Sequence, residues 1–305
     1  MNVVFPRNMA ALFKALDEPG ARVLAGGTDL LVRLRSHPDS GPATLVGLDR
    51  LPALRGVAED SGWEPGLGTK DGRGDGSPSE SVGPGTLHRA LRLGAATTHA
   101  ELLAHPLIRA RLPVLAQALA DLGSPPIRNM GTLGGNICTA SPAGDTLPPL
   151  LALGAEVELA AKTGTRRLPL ASFLLGPGRT ALKPGEVLAA VCVPVPGVDV
   201  RQHFEKVGRR DALAVAVVSL AALVRTGHGG KIVEAHLAWG SVGPTVWRCP
   251  EVEAALAGRK LSLTALTEAA SIVRSQVQPI DDVRASADYR REVAGNLLLR
   301  LAMLE

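Results

Sequence analysis

The stretch Ile127-Arg128-Asn129-Met130-Gly131-Thr132-Leu133-Gly134-Gly135-Asn136-Ile137-Cys138-Thr139-Ala140-Ser141-Pro142-Ala143-Gly144-Asp145 decides how this chain is read. Glycines lack a Cβ, so flanked by Thr, Asn and Ser they let the backbone curl closely and turn several N–H groups toward an anion. About a hundred residues upstream, Leu24-Ala25-Gly26-Gly27-Thr28-Asp29-Leu30 repeats the chemistry: an apolar run meets a glycine pair before an apparent helix. Strand, glycine turn and helix start is a common way to hold a phosphate. Two such cradles in one chain suit a diphosphate gripped from both sides. Neither a GxGxxG dinucleotide fingerprint nor a GxxxxGK phosphate loop occurs, so Rossmann and nucleotide-hydrolysing readings find no support.

Outward from these segments the pattern gives helix at 8–16, strand at 22–25, helix at 29–35, and strands at 43–48 and 87–96. Thr98 followed three residues later by Glu101 predicts a capped helix start. Leu107, Ile108, Leu112, Leu115, Leu119 and Leu122 recur at helical spacing, so one helix with one buried stripe is expected over 107–122, ended by Gly123. Asp145 is expected to cap a short apolar helix reaching Leu153. Segments 155–160 and 166–170 read as a hairpin around Thr163-Gly164, and strands follow at 187–193, 203–207, 212–225 and 231–241. The run 212–224 is apolar throughout, which periodicity leaves open between helix and buried strand; its valines favour strand. Residues 251–305 alternate helical patterns and close with an amphipathic helix over 289–304. Turn residues cluster at Gly176-Pro177-Gly178 and Lys183-Pro184-Gly185, which sets an expected domain boundary at 178/179.

At 305 residues and 46% apolar side chains the chain is long enough for two domains, each with its own core. No apolar run reaches the roughly 18 to 20 residues of a membrane span, and the opening MNVVFPRNMAALFKALDEPG lacks a charged segment followed by an apolar one. A cytoplasmic protein is expected. Cys138, Cys192 and Cys249 stand far apart, so no disulfide framework or CxxC pair is visible, and His99, His105, His203 and His236 show no metal spacing. An iron–sulfur cluster usually takes four thiolates, more than this chain supplies alone. The net charge of +4 comes from scattered basic residues, and 3% aromatics give no stacking platform, which argues against nucleic-acid binding. Residues 60–85 are rich in Gly, Ser and Pro, contain no Cys, and read as a flexible solvated loop.

The two glycine segments together resemble the flavin subunit of the molybdenum hydroxylases, the xanthine dehydrogenase and carbon monoxide dehydrogenase family. The likeness continues in order through Pro148-Pro149-Leu150-Leu151-Ala152-Leu153, Phe204-Glu205-Lys206-Val207-Gly208-Arg209-Arg210 and the segment from Asp282 to Arg291, and so spans nearly the whole chain. It implies an α+β fold. A two-part FAD-binding domain, PCMH-type and vanillyl-alcohol-oxidase-like, would occupy 1–178, as subdomains of about 1–55 and 56–178. A smaller α+β domain of a sheet plus helices, 179–305, would close over the cofactor. It also implies an oxidoreductase subunit carrying FAD for electron transfer. Electrons would come from 2Fe-2S clusters on a small partner chain, reduced in turn by a large molybdopterin-cofactor subunit, and would leave to NAD or another acceptor, in a dimer of heterotrimers. Some relatives carry a further cluster in an insertion near 60–85; the absence of Cys there speaks against one in this chain.

By the same likeness FAD contacts fall on Val23, Leu24, Ala25, Gly26, Gly27, Thr28, Asp29 and Leu30, and on Thr132, Gly134, Gly135, Asn136, Cys138 and Thr139, with Ser141 weaker. Thr28 stands where some relatives have His. Asp145 matches a family Asp beside the ribityl or ribose hydroxyls, where a carboxylate accepts two hydrogen bonds. Leu188 matches an apolar residue touching the flavin ring, and Lys206 a lysine offered to the isoalloxazine, where a cation favours the anionic reduced form. Plainer roles stand beside these: Asp29 as an acid at a helix N-terminus, Asp145 as a cap, Cys138 as a small buried apolar group, Lys206 as a solvated side chain. The form GGNICTASPAGD tilts toward the xanthine dehydrogenase type, with purines or other N-heterocycles as substrates of the complex. Two rivals remain: a stand-alone flavin oxidoreductase, disfavoured because no substrate domain with recognisable acid–base residues is visible, and a non-catalytic nucleotide-binding or assembly module.

Overall fold

Residues 1–37, 41–60, 63, 89–210 and 213–303 are described by the computed structural model of the chain, so the loop expected over 60–85 lies almost wholly outside the described residues. The first 47 residues alternate strand and helix: β1 (Asn2–Val4), α1 (Met9–Leu16), β2 (Ala21–Leu24), α2 (Leu30–Ser36) and β3 (Thr44–Gly47). Asn8 starts α1 by accepting a hydrogen bond from the Ala11 N–H at 2.8 Å. β3 lies in the middle, parallel to both neighbours, with Val46 opposite Val4 and Val23. Leu12 and Val46 are fully buried and pack with Ala96, Val187 and Ala189 of the next sheet, so the small parallel unit has no core of its own.

The chain continues with β4 (Val57–Asp60) and β5 (Ala90–Gly94), then six short helices: α3 (His99–Ala104), α4 (Pro106–Arg111), α5 (Pro113–Asp121), α6 (Pro125–Met130), α7 (Leu133–Thr139) and α8 (Leu147–Ala152). The hairpin β6 (Glu156–Ala161) and β7 (Gly164–Pro169) follows, then α9 (Leu170–Phe173), the small ladder β8 (Leu174–Gly176) and β9 (Arg179–Thr180), and β10 (Val187–Pro194). β10 is the central strand of an antiparallel sheet ordered β4-β5-β10-β6-β7, with Ala190 opposite Gly94 on one side and Glu158 on the other. The boundary expected at 178/179 thus falls before a strand that belongs to this sheet. After the separate β8–β9 ladder the chain returns to this sheet as β10, and it passes to the last sheet between Pro194 and Val200.

The capping box expected at Thr98 is present: its hydroxyl accepts from the Glu101 N–H at 3.2 Å, and the Glu101 carboxylate accepts from the Thr98 N–H at 2.8 Å. Two local expectations are corrected. The single helix over 107–122 is broken at Leu112, since Pro113 has no N–H to donate and disfavours helical backbone before it; the stripe Ile108, Leu112, Leu115 and Leu119 stays fully buried across the break. The glycine-rich stretch 127–145 is not mainly loop but contributes α6 and α7, with Gly134 and Gly135 inside the first turn of α7.

The remainder is a four-stranded antiparallel meander, β11 (Val200–Val207), β12 (Val218–Thr226), β13 (Ile232–Gly240) and β14 (Trp247–Arg248), followed by α10 (Pro250–Leu256), α11 (Leu263–Gln276) and α12 (Ala287–Leu299). Leu220, Ala222 and Val224 of β12 pack toward these last helices, while Ala221 and Leu223 pack into the core shared with α5 and α8. A strand alternates its side chains between faces, so a sheet covered on both sides needs apolar residues at every position. That resolves the helix-or-strand ambiguity of the apolar run from Val218 onward, while 213–217, expected as part of the strand, lie outside it. No helix among the described residues is long and apolar enough to cross a membrane.

Buried Arg290 of α12 ties these layers together. Its guanidinium donates to the carbonyls of Val217 and Ser241 at 2.6 and 3.3 Å and to Asp282 at 2.7 Å. Removing one member of a buried charged network strands its partners, at about 3 kcal/mol or more. Arg290→Ala is therefore expected to lower the thermal melt by roughly 6–10 °C; a melt at the wild-type temperature would show that the network contributes nothing.

Candidate functional site

Backbone contact brings the two glycine segments together. A Cβ on Gly26 would lie 1.8 Å from the Met130 carbonyl oxygen and 2.9 Å from the Gly131 Cα, so the first segment passes against the second where no side chain fits. Gly27 follows at φ +71°, the left-handed region that favours glycine, and swings the chain into α2. Through that turn the N–H groups of Gly26, Gly27, Thr28, Asp29 and Leu30 donate to nothing among the described residues. Five successive free donors at a helix start form an anion-binding concavity.

The second segment differs from expectation. The N–H groups of Leu133, Gly134 and Gly135 are already taken, by Thr97 O at 3.0 Å, Ala95 O at 2.8 Å and Thr132 Oγ1 at 3.1 Å. Its glycines serve close packing instead: a Cβ on Gly134 would meet Ala95 at 2.7 Å and the Leu188 side chain at 3.0 Å. Gly135 is roomier, with Thr132 Oγ1 at 3.0 Å and Ala25 at 3.9 Å from the same position. Left-handed Ala140 ends α7 and turns the chain toward Ser141 and Asp145.

Between the segments lies a cleft of about 520 Å³, within the ordinary range for small-molecule sites. Val23, Ala25, Gly26, Gly27, Thr28, Asp29 and Leu30 line one wall, and Thr132, Gly134, Gly135, Asn136, Cys138, Thr139 and Ser141 the other, with Asp145 and Leu188 completing it. Leu24 and Lys206 are not among the lining residues. Leu24 lies in β2, and its carbonyl accepts from the Leu48 N–H. Sequence reasoning passed over His99, Ile127, Leu182 and Val187, and the segment Leu213, Ala214 and Val215 from the β11–β12 connection. In the structure Leu213 and Val215 are half-exposed apolar side chains, which their place in an apolar run does not reveal.

Polar pairs fix the walls. Thr139 Oγ1 donates to Asp29 at 3.4 Å across the cleft, Asp29 pairs with Arg33, and the Thr146 hydroxyl donates to Asn136 Oδ1 at 2.7 Å. Asp145 does not cap α8: Thr146 holds the cap position, and the Asp145 carboxylate is turned to Lys206, whose ammonium donates to it at 2.9 Å and to the Asp121 carbonyl at 2.6 Å. Four buried side-chain polar atoms lack a partner among the described residues, and two of them, Asp145 Oδ1 and His99 Nδ1, belong to this cleft. A shallower groove of about 490 Å³ beside Asp49, Arg50, Arg55 and Glu101 has none, and its Arg55 is paired with Glu101 at 2.7 Å.

Burial pushes the Asp145 carboxyl up to about 6, with Lys206 pulling the other way, and burial lowers His99 to about 4, helped by the Arg128 charge. Burial also raises the Cys138 thiol to about 12, so it stays neutral, as its packing role requires. Folding raises the Asp145 pKa from 3.8, so the folded chain binds more protons and loses stability as pH rises from 3.8 to about 6. Folding lowers the His99 pKa from 6.5, so stability is lost as pH falls from 6.5 toward 4. The two slopes oppose each other. Asp145→Asn removes the Asp145 slope but leaves buried Lys206 without its carboxylate, so it is expected to melt below wild type near neutral pH and to reveal the His99 slope below pH 6.5. Melts of both proteins across that range check it; parallel curves would refute the Asp145 shift.

The family model described as the FAD binding domain in molybdopterin dehydrogenase matches residues 86–196, and that of the CO dehydrogenase flavoprotein C-terminal domain matches 202–304. A putative xanthine dehydrogenase FAD-binding subunit of Escherichia coli is 32% identical over 277 residues, 90% of this chain and 85% of that protein. Among solved structures, reconstituted CO dehydrogenase from Oligotropha carboxidovorans superposes with a TM-score of 0.85 at 28% identity, covering 98% of this chain and 95% of the other. Quinoline 2-oxidoreductase from Pseudomonas putida gives 0.84 at 26% identity, covering 100% and 96%. The chain belongs to the family of FAD-binding subunits of molybdopterin dehydrogenases.

Proposed function

We propose that this chain holds FAD in the cleft between its glycine segments and serves as the electron-transfer subunit of a molybdenum hydroxylase. The run of free N–H groups from Gly26 to Leu30 carries this reading, because a diphosphate is the part of FAD that such donors satisfy. The unpartnered Asp145 Oδ1 is an acceptor for a ribityl or ribose hydroxyl, and Leu188 with Val187 offers an apolar wall to a ring. When bound, FAD supplies the exchange of electrons between one-electron and two-electron carriers. The residues of this chain bind it, exclude water and set the local charge. Lys206 acts on that charge through Asp145 and not as a direct neighbour of the ring, which supports a weaker electrostatic role than a bare cation would have.

Residues up to Pro194 form the cofactor-holding part in this reading, a division supported by sheet membership, and the meander with its helices closes the cleft through Leu213 to Val215. Partner chains are a large molybdenum subunit and a small 2Fe-2S subunit, arranged as a dimer of heterotrimers in the cytoplasm. NAD is the proposed acceptor and a purine or other N-heterocycle the proposed substrate of the complex. Similarity to a xanthine dehydrogenase subunit and to quinoline 2-oxidoreductase supports that class, while the likeness to CO dehydrogenase keeps a different substrate in play as the second reading.

Purified full chain is expected to take up FAD. Gly26→Ala should weaken FAD by about 100-fold or more, some 2.7 kcal/mol, since its Cβ must displace backbone, whereas Gly135→Ala should stay within about 10-fold because only a hydroxyl must give way. Flavin titration of the three proteins checks this order; equal affinities would place the cofactor elsewhere. Copurification with molybdenum and iron–sulfur chains, and turnover with hypoxanthine, quinoline or CO, tests the complex and its substrate.

A further inference from the structure

His99, which shows no metal spacing in the sequence, is buried to 3% exposure and lines the cleft. It opens α3, where its backbone N–H donates to the Gly131 carbonyl at 3.0 Å, next to the bridge between Thr98 and Thr132. Its ring lies against Gly131: a Cβ there would stand 3.0 Å from His99 Cδ2 and 3.4 Å from Nε2. Gly131 is also the residue against which Gly26 packs, so the imidazole sits beside the run of free N–H groups.

Partnering fixes its protonation. Nδ1 is fully buried with no acceptor or donor in reach. A proton on Nδ1 would be a buried orphan donor, which folds tolerate less well than an under-used acceptor. The proton therefore resides on Nε2, which makes no hydrogen bond among the described residues and is not enclosed as Nδ1 is. The cationic form would place an N–H at both positions and is suppressed by burial and by Arg128.

We propose that His99, fixed as the Nε2–H tautomer beside Gly131 and Gly26, donates a hydrogen bond to the ADP half of the flavin dinucleotide and so adds a side-chain donor to a cradle otherwise built from backbone. The proposal rests on the FAD reading above. The acceptor is an oxygen of the adenosine-side phosphate or an adenine ring nitrogen, both of which FMN lacks. Through this contact the site prefers the dinucleotide to FMN.

Flavin-free full chain titrated with FAD and FMN, followed by flavin fluorescence, tests it. His99→Leu and His99→Asn remove a donor from the Nε2 position, whereas in His99→Gln the amide N–H reaches the same place. Leu and Asn should raise the FAD Kd about 10-fold, the loss of one good hydrogen bond, with FMN affinity unchanged, and Gln should stay within about 3-fold of wild type. Melts of the unliganded variants identify any that do not fold, and the remaining losing variant still decides. Competition with ADP and with inorganic pyrophosphate locates the acceptor: weakened competition by both places it on the phosphates, by ADP alone on the adenosine, and by neither overturns the assignment to the ADP half. Folded Leu and Asn variants that bind FAD as wild type does, or a folded Gln variant that loses as much as they do, would also overturn it. Wild-type chain that fails to bind FAD would sink the FAD reading itself, a separate result.

Discussion

The close pass of Gly26 against the Met130–Gly131 backbone is the contact on which the cleft depends. It lets a parallel three-stranded unit and a helical layer of an antiparallel sheet approach to backbone distance, with no side chain between them. Gly27 then turns the chain through the left-handed region, in a stretch where five successive N–H groups have no acceptor among the described residues. Neither device works alone. Without the close pass the donors would face solvent, and without the turn the opposing wall would face a plain helix start. The parallel unit shares its buried residues with Val187 and Ala189 of β10, so the core also resists separation of the two walls.

The C-terminal meander bears on the site for a related reason. Its sheet is packed on both faces, against α5 and α8 on one side and against α11 and α12 on the other, which holds the β11–β12 connection in place over the cleft. Arg290 reaches from α12 to the Val217 carbonyl at the end of that connection. Lys206 reaches from β11 to Asp145 and Asp121, one buried ion pair bridging the two parts of the chain beside the cofactor cleft. A buried pair stabilises little on balance, but removing one member strands the other. Register between the parts is thus tied to the charge state of Asp145.

Legibility in the sequence followed the range of the interaction. Local signals read well: the Thr98–Glu101 capping box, the hairpin at β6–β7 and the positions of the long strands each depend on residues a few positions apart. The glycine segments were readable as elements that meet, yet not in their division of labour. Whether the Leu133 and Gly134 N–H groups are free depends on Thr97 and Ala95, about forty residues away, and no pattern within the motif encodes that. His99 was invisible for the same reason, since a lone histidine gains meaning only from the backbone packed against it. The break at Leu112 was legible in principle through Pro113, but the leucine periodicity is stronger than the proline signal and continues across it. At the turns near 178 the residues mark a change of direction and not by themselves a change of sheet, since β10 follows them and pairs with β5 and β6.

Charge in the cleft leads one step further. Arg33 lines it but is paired with Asp29, Lys206 is turned to Asp145, His99 is neutral, and the Cys138 thiol is undissociated. The cleft therefore offers an anion fixed dipoles and neutral donors, although the chain as a whole carries +4. Dipoles of this kind act over a few ångströms and reward a diphosphate placed at one position, whereas an unpaired lysine would attract any anion at longer range. In the proposed reading the free N–H run supplies the grip on the cofactor and the Asp145–Lys206 pair the local charge, so the two respond separately to substitution.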